Sequence, residues 1–87
     1  MYLHLGQDKI VTHGEIIGIF DLDNTTVSKV TRDFLAKSER RGSVINVSYE
    51  LPKSFILCGK EKTDVRVYIS PISVQTLVKR SVRSELA

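Results

Sequence analysis

Every β-prone run in this chain is short, and three of them pass before the first helical pattern begins. Residues 2–5 alternate in polarity. Residues 10–12 are β-branched and follow the turn Gly6-Gln7-Asp8-Lys9. Residues 16–20 are apolar on both faces except at Gly18. The last run predicts a strand covered on both sides, and Gly18 predicts a close approach by another backbone. A helix then follows. Asn24, Thr25 and Thr26 offer caps, and Val27, Val30, Phe34 and Leu35 recur at helical spacing, with Lys29, Arg32, Asp33 and Lys37 facing elsewhere. Arg40 and Arg41 suit the negative end of the helix dipole, and Gly42 suits the residue just past the helix. Alternation then resumes: Ile45, Val47 and Tyr49 share a face, and runs at 54–58 and 65–70 flank the polar loop GKEKTD. Ser73 caps a second helix whose apolar stripe is Val74, Leu77, Val78 and Val82 and whose basic side is Lys79, Arg80 and Arg83, with 84–87 expected to fray.

Strands in runs with segregated helices predict an α+β fold: a small, mostly antiparallel sheet of five or six short strands with two helices. A chain of 87 residues makes one domain, 1–87, and buries only a modest share of its surface. Oligomerisation is one way to hide more. No apolar run approaches the ~20 residues needed to cross a bilayer, and the opening MYLHLGQDKI has no leader pattern. Cys58 is the only cysteine, so no internal disulfide forms, as expected in a reducing cytosol. It ends the run FILC and reads as a small buried hydrophobe.

Charge is unevenly spread. Residues 27–83 carry twelve basic and five acidic side chains, a net +7, whereas residues 1–26 sum to −3. A basic region of this kind favours a polyanionic partner. Its candidate contacts are Arg40 and Arg41, Lys60 and Lys62 in the polar loop, and Lys79 and Arg80 on the last helix. The first pair also reads as a dipole complement, and the last as a solvated face.

One motif points elsewhere. An apolar run ending in Asp21-Leu22-Asp23-Asn24-Thr25 resembles the nucleophile motif of the haloacid dehalogenase phosphatases. That chemistry needs Mg²⁺ and further carboxylates, and no acidic pair follows any later apolar run. It also needs several βαβ units, which two helices do not supply. The aspartates read more simply as a turn and helix cap. His4 and His13 form no metal-ligand pattern, and the five glycines are scattered singly, so no cofactor, metal or catalytic residue is expected.

A different resemblance spans nearly the whole chain. The opening MYLHLG, then VTHGEIIGIFD, then PKS before an apolar strand, then YISPISVQTLVKR, are similar in order and spacing to the bacterial extracellular matrix regulatory protein B family. That resemblance implies a cytoplasmic, non-enzymatic regulator of biofilm matrix genes. The sister group, extracellular matrix regulatory protein A, implies more: ring-shaped homo-oligomers, a LytTR-type DNA-binding subunit, and double-stranded DNA gripped by arginines at a strand entry and in the loop after the post-helix strand. Here Glu15 stands at the strand entry, and Glu50-Leu51-Pro52 follows Tyr49 in place of the basic loop. Only Lys53 keeps a cation there. Reversing charge at these positions removes phosphate contacts. The leading expectation is therefore a DNA-binding homo-oligomer using Lys53 and the dispersed cations. The alternative is an oligomeric interaction module that partners the sister regulator without binding DNA itself.

Overall fold

A computed structural model describes residues 2–22, 28–61 and 64–86. The chain is α+β, with six strands and two helices among the described residues. Strands β1 (Tyr2–Gly6) and β2 (Lys9–Thr12) form an antiparallel hairpin. A 3₁₀ turn at His13–Glu15 leads into β3 (Ile16–Asp21). Helix α1 (Lys29–Arg40) precedes β4 (Val44–Asn46), β5 (Ser54–Cys58), β6 (Arg66–Ser70) and α2 (Val74–Leu86). The last four strands in sequence make one sheet of order β3-β5-β6-β4, antiparallel except for the β4–β6 pair, which is parallel. The single mostly antiparallel sheet expected from sequence is thus two sheets, the larger of them mixed. Among the described residues no helix is long and apolar enough to cross a membrane.

The core gathers where the hairpin, the sheet centre and α2 meet. Leu3, Leu5, Val11, Ile56, Cys58, Tyr68 and Leu77 form one buried cluster. Ser73 caps α2 as predicted, its hydroxyl accepting from the Thr76 N–H at 3.3 Å. Leu77 is fully buried, and such burial contributes ~1.5–3 kcal/mol. Two serines hold the layers together. Ser54 and Ser70 face each other across β5 and β6, both fully buried. The Ser70 hydroxyl donates to the Leu5 carbonyl at 2.6 Å and accepts from the Ile72 N–H, tying the hairpin to the larger sheet. The Ser54 hydroxyl donates to the Ile72 carbonyl.

Three expectations change. The run at 16–20 is an edge strand, not a covered one: Ile17 is 58% exposed and Phe20 43%. Gly18 makes room for a side chain rather than a backbone, because a Cβ there would lie 2.7 Å from the Phe20 ring. Strand β4 stops at Asn46. Val47 still donates to the Ile69 carbonyl, but the Ser48 hydroxyl then accepts from the Glu50 N–H and turns the chain, leaving Tyr49 fully exposed. Helix α1 as described is capped by Ser28, whose hydroxyl accepts from the Thr31 N–H. The caps read at Asn24, Thr25 and Thr26, with Val27, lie outside the described residues, as does Asp23. At its other end Gly42, with φ +72°, takes the left-handed conformation expected just past a helix.

Candidate nucleic-acid interface

The strand register sorts the candidate cations by position. Cys58, Arg66 and the start of β4 lie at one end of the larger sheet, since Cys58 pairs with Arg66 and Val44 with Val67. The Ser43 carbonyl accepts from the Val67 N–H there, which brings the C-terminus of α1, with Arg40 and Arg41, to the same end. Lys60 follows β5 at this end. Its N–H and that of Glu61 donate to the Asp64 carboxylate, which fixes the start of the loop. These bonds, that from Glu61 foremost, hold the Asp64 pKa below the ordinary carboxylate value. Lys62 lies outside the described residues.

Lys53 sits at the opposite end. It precedes β5, its N–H donating to the Ser70 carbonyl while its own carbonyl accepts from the Leu22 N–H. A five-residue strand separates it from Lys60, a span of roughly 20 Å. Lys79 and Arg80 occupy a third place, on the exposed side of α2 beside the hairpin, where the Arg80 guanidinium donates to the His4 carbonyl at 3.2 Å. The His4 ring itself bonds the Gln7 carbonyl across the hairpin turn. The fold therefore brings Arg40, Arg41 and Lys60 to a common end. Lys53 and the α2 pair stand apart from them.

Glu15 and Arg66 add a feature that spacing did not reveal. Glu15 closes the 3₁₀ turn by accepting from the Thr12 N–H, and its own carbonyl accepts from the Gly59 N–H. Its carboxylate lies 3.6 Å from the Arg66 guanidinium, which also donates to the Tyr68 hydroxyl. The Thr12 backbone and then its side chain hold the Glu15 pKa below its ordinary value; desolvation opposes them, and Arg66 and then Lys60 add lesser help. Glu15 thus offsets positive charge at the very end where Arg40, Arg41 and Lys60 gather. The alternation of Arg66 with Tyr68 was visible in the sequence. Its pairing with a residue 51 positions away was not.

The phosphatase chemistry finds no support in this geometry. Asp21 ends an edge strand paired antiparallel with β5, unlike the parallel, helix-covered strand that such a nucleophile requires. Among the described residues no group of three His, Cys, Asp or Glu is placed to hold a metal ion. Cys58 is buried as expected, and burial pushes its thiol up to about 11, so it is uncharged at neutral pH.

Comparison with known proteins agrees with the whole-chain resemblance. A family model described as RemA-like, extracellular matrix regulatory protein A-like, matches residues 2–80. The chain is also 36% identical over 81 residues to extracellular matrix regulatory protein B of Bacillus subtilis (strain 168), covering 93% of this chain and 90% of that protein.

Proposed function

Since the chain belongs to the RemA-like family of extracellular matrix regulatory proteins, we propose that it is a cytoplasmic, non-enzymatic regulator of biofilm matrix gene expression. In this reading it binds double-stranded DNA as a homo-oligomer, its subunit working as a LytTR-type DNA-binding domain does. The observation that carries the DNA part is the net +7 of residues 27–83, with Arg40, Arg41 and Lys60 at one end of the sheet. Repetition in an oligomer multiplies these few cations, so that weak phosphate contacts sum to useful affinity. Lys53 adds a second contact region at the opposite end.

Fluorescence anisotropy of a labelled duplex, titrated at several salt concentrations, tests this. Binding is expected to weaken steeply with salt, with log K falling by about 0.9 per phosphate contact for each unit of log salt. Replacing Arg40 and Arg41 by Ala reduces that slope. Micromolar protein that gives no salt-dependent signal overturns direct DNA binding.

A second reading is favoured by Glu15, which offsets Arg66, and by Glu50, exposed between two apolar side chains. There the protein is an oligomeric module that partners the sister regulator and leaves DNA contact to it. Light scattering of the protein alone and mixed with the sister regulator separates the two. Protein that neither assembles nor joins the sister removes the second reading.

A further inference from the structure

Two apolar features of this subunit lack partners among its described residues, and they are complementary. The first is a shallow groove of about 250 Å³ between α1 and the sheet, lined by Phe20, Val30, Thr31, Phe34, Phe55 and Leu57. Phe20 and Phe55 stack at 4.8 Å to form its floor, and Val30 stands 78% exposed on its helical wall. The second is a projection after β4, where Tyr49 is fully exposed and Leu51 is 76% exposed. Large side chains held out in this way are expensive to leave in water and characteristically serve as anchors at interfaces. Pro52 stiffens the segment that carries them.

Charge matches as well as shape. Lys37, expected from sequence to face away from Val30 and Phe34, follows them at i+7 and i+3 on the same stripe of α1, and Arg41 comes next. Between Tyr49 and Leu51 stands exposed Glu50. The groove therefore runs into positive charge, and the projection carries a negative one. Strands β3 and β4 are opposite edges of the sheet, so the groove beside β3 and the projection after β4 face different neighbours.

We propose that the Tyr49-Glu50-Leu51 projection of one subunit seats in the Phe20–Val30–Phe34 groove of a second copy, with Glu50 against Lys37. The inference rests on the homo-oligomer part of the function proposed above and names its contact. Such a contact is head-to-tail: each subunit gives one surface and receives on another, and the rotation per step decides between a closed ring and an open filament. Arg41, farther along that face, is also a candidate DNA contact, whereas Lys37 is not, so the Glu50 and Lys37 variants probe assembly without touching the candidate DNA contacts.

Light scattering behind size exclusion, at tens of micromolar protein, tests this on four variants, with circular dichroism to verify folding. The wild type is expected to run well above its 9.8 kDa monomer mass. Tyr49→Asp with Leu51→Asp removes the projection, and Val30→Asp removes the groove; each is expected to run as a monomer. Mixing those two monomers restores one intact contact and yields a 1:1 pair of about twice the monomer mass, while a wild type larger than a dimer is what a two-fold symmetric interface alone does not give. Glu50→Lys weakens assembly by about tenfold or more, and adding Lys37→Glu to it restores the wild-type mass. Variants that keep the wild-type mass, or a mixture that stays monomeric, overturn the contact while leaving the oligomer in place. A groove filled by another part of the same chain shows itself as an unchanged mass with a lowered Tm for Val30→Asp. A wild type that is itself monomeric overturns the homo-oligomer reading and this contact together.

Discussion

The two helices of this protein are both amphipathic, yet they are used differently. Helix α2 places Leu77 wholly inside a core shared with Leu3, Leu5 and Val11. Helix α1 has only Ser38 buried, and its apolar face at Val30 and Phe34 looks onto a groove. Periodicity reports that a helix has an apolar face. It does not report whether that face is covered by the same chain. In α2 the face is part of the fold's stability, and in α1 it borders a groove that the described residues leave open.

Paired substitutions should break or sharpen this contrast. Leu77→Ala is expected to have the largest effect, a loss of ~2–5 kcal/mol from the cavity it leaves. Val30→Ala, at the matching place on α1, should stay within about 0.5 kcal/mol under conditions where the protein is monomeric. Urea unfolding measures both, and equal losses would erase the distinction between the helices. Ser70→Ala comes next, with a loss of ~1–3 kcal/mol, because the buried Leu5 carbonyl and Ile72 N–H lose their shared partner. Hydrogen exchange should show that loss at the hairpin before it appears at α1. Acid sensitivity should be the smallest effect. The Glu15 pKa is lowered on folding, so its contribution is present above its ordinary value of 4.5 and is lost as pH falls below it. Thermal melts between pH 7 and pH 3 should therefore decline less steeply for Glu15→Gln than for the wild type. Parallel pH profiles would show that the Glu15 bonds do not stabilise the turn.

Much of this contrast was hidden from the sequence for a physical reason. Alternation and turn chemistry are local, so the strands at 2–5, 10–12 and 54–58 and the Ser73 cap could be read directly. Strand order is not local. The run at 16–20 is apolar on both faces because Phe20 covers Gly18 and stacks on Phe55 beside the groove, not because it lies at the sheet centre. Tyr49 looked like the inward end of an alternating strand, but Ser48 turns the chain before it. Among the cations, residue type gave the candidates, whereas their grouping depended on register. Arg40, Arg41 and Lys60 share an end only because β4 runs parallel to β6, and Lys53 leaves them because β5 intervenes. The Glu15–Arg66 pair likewise needed the fold to close before it could be seen.

The meeting of Leu3 with Leu77 also sets a timetable. The first strand is translated early, but its inner face gains Ile56, Cys58 and Tyr68 only in the second half of the chain and Leu77 after them. Contacts of such long sequence separation are slow to form and are won only after much loop entropy has been lost. During synthesis at ~5–20 residues per second, the hairpin therefore waits for β5 and β6, and then for α2, before Leu3, Leu5 and Val11 are fully covered. The core is therefore completed only when α2 is added, and nascent chains stalled before residue 77 should be more in need of a chaperone than those that carry Leu77.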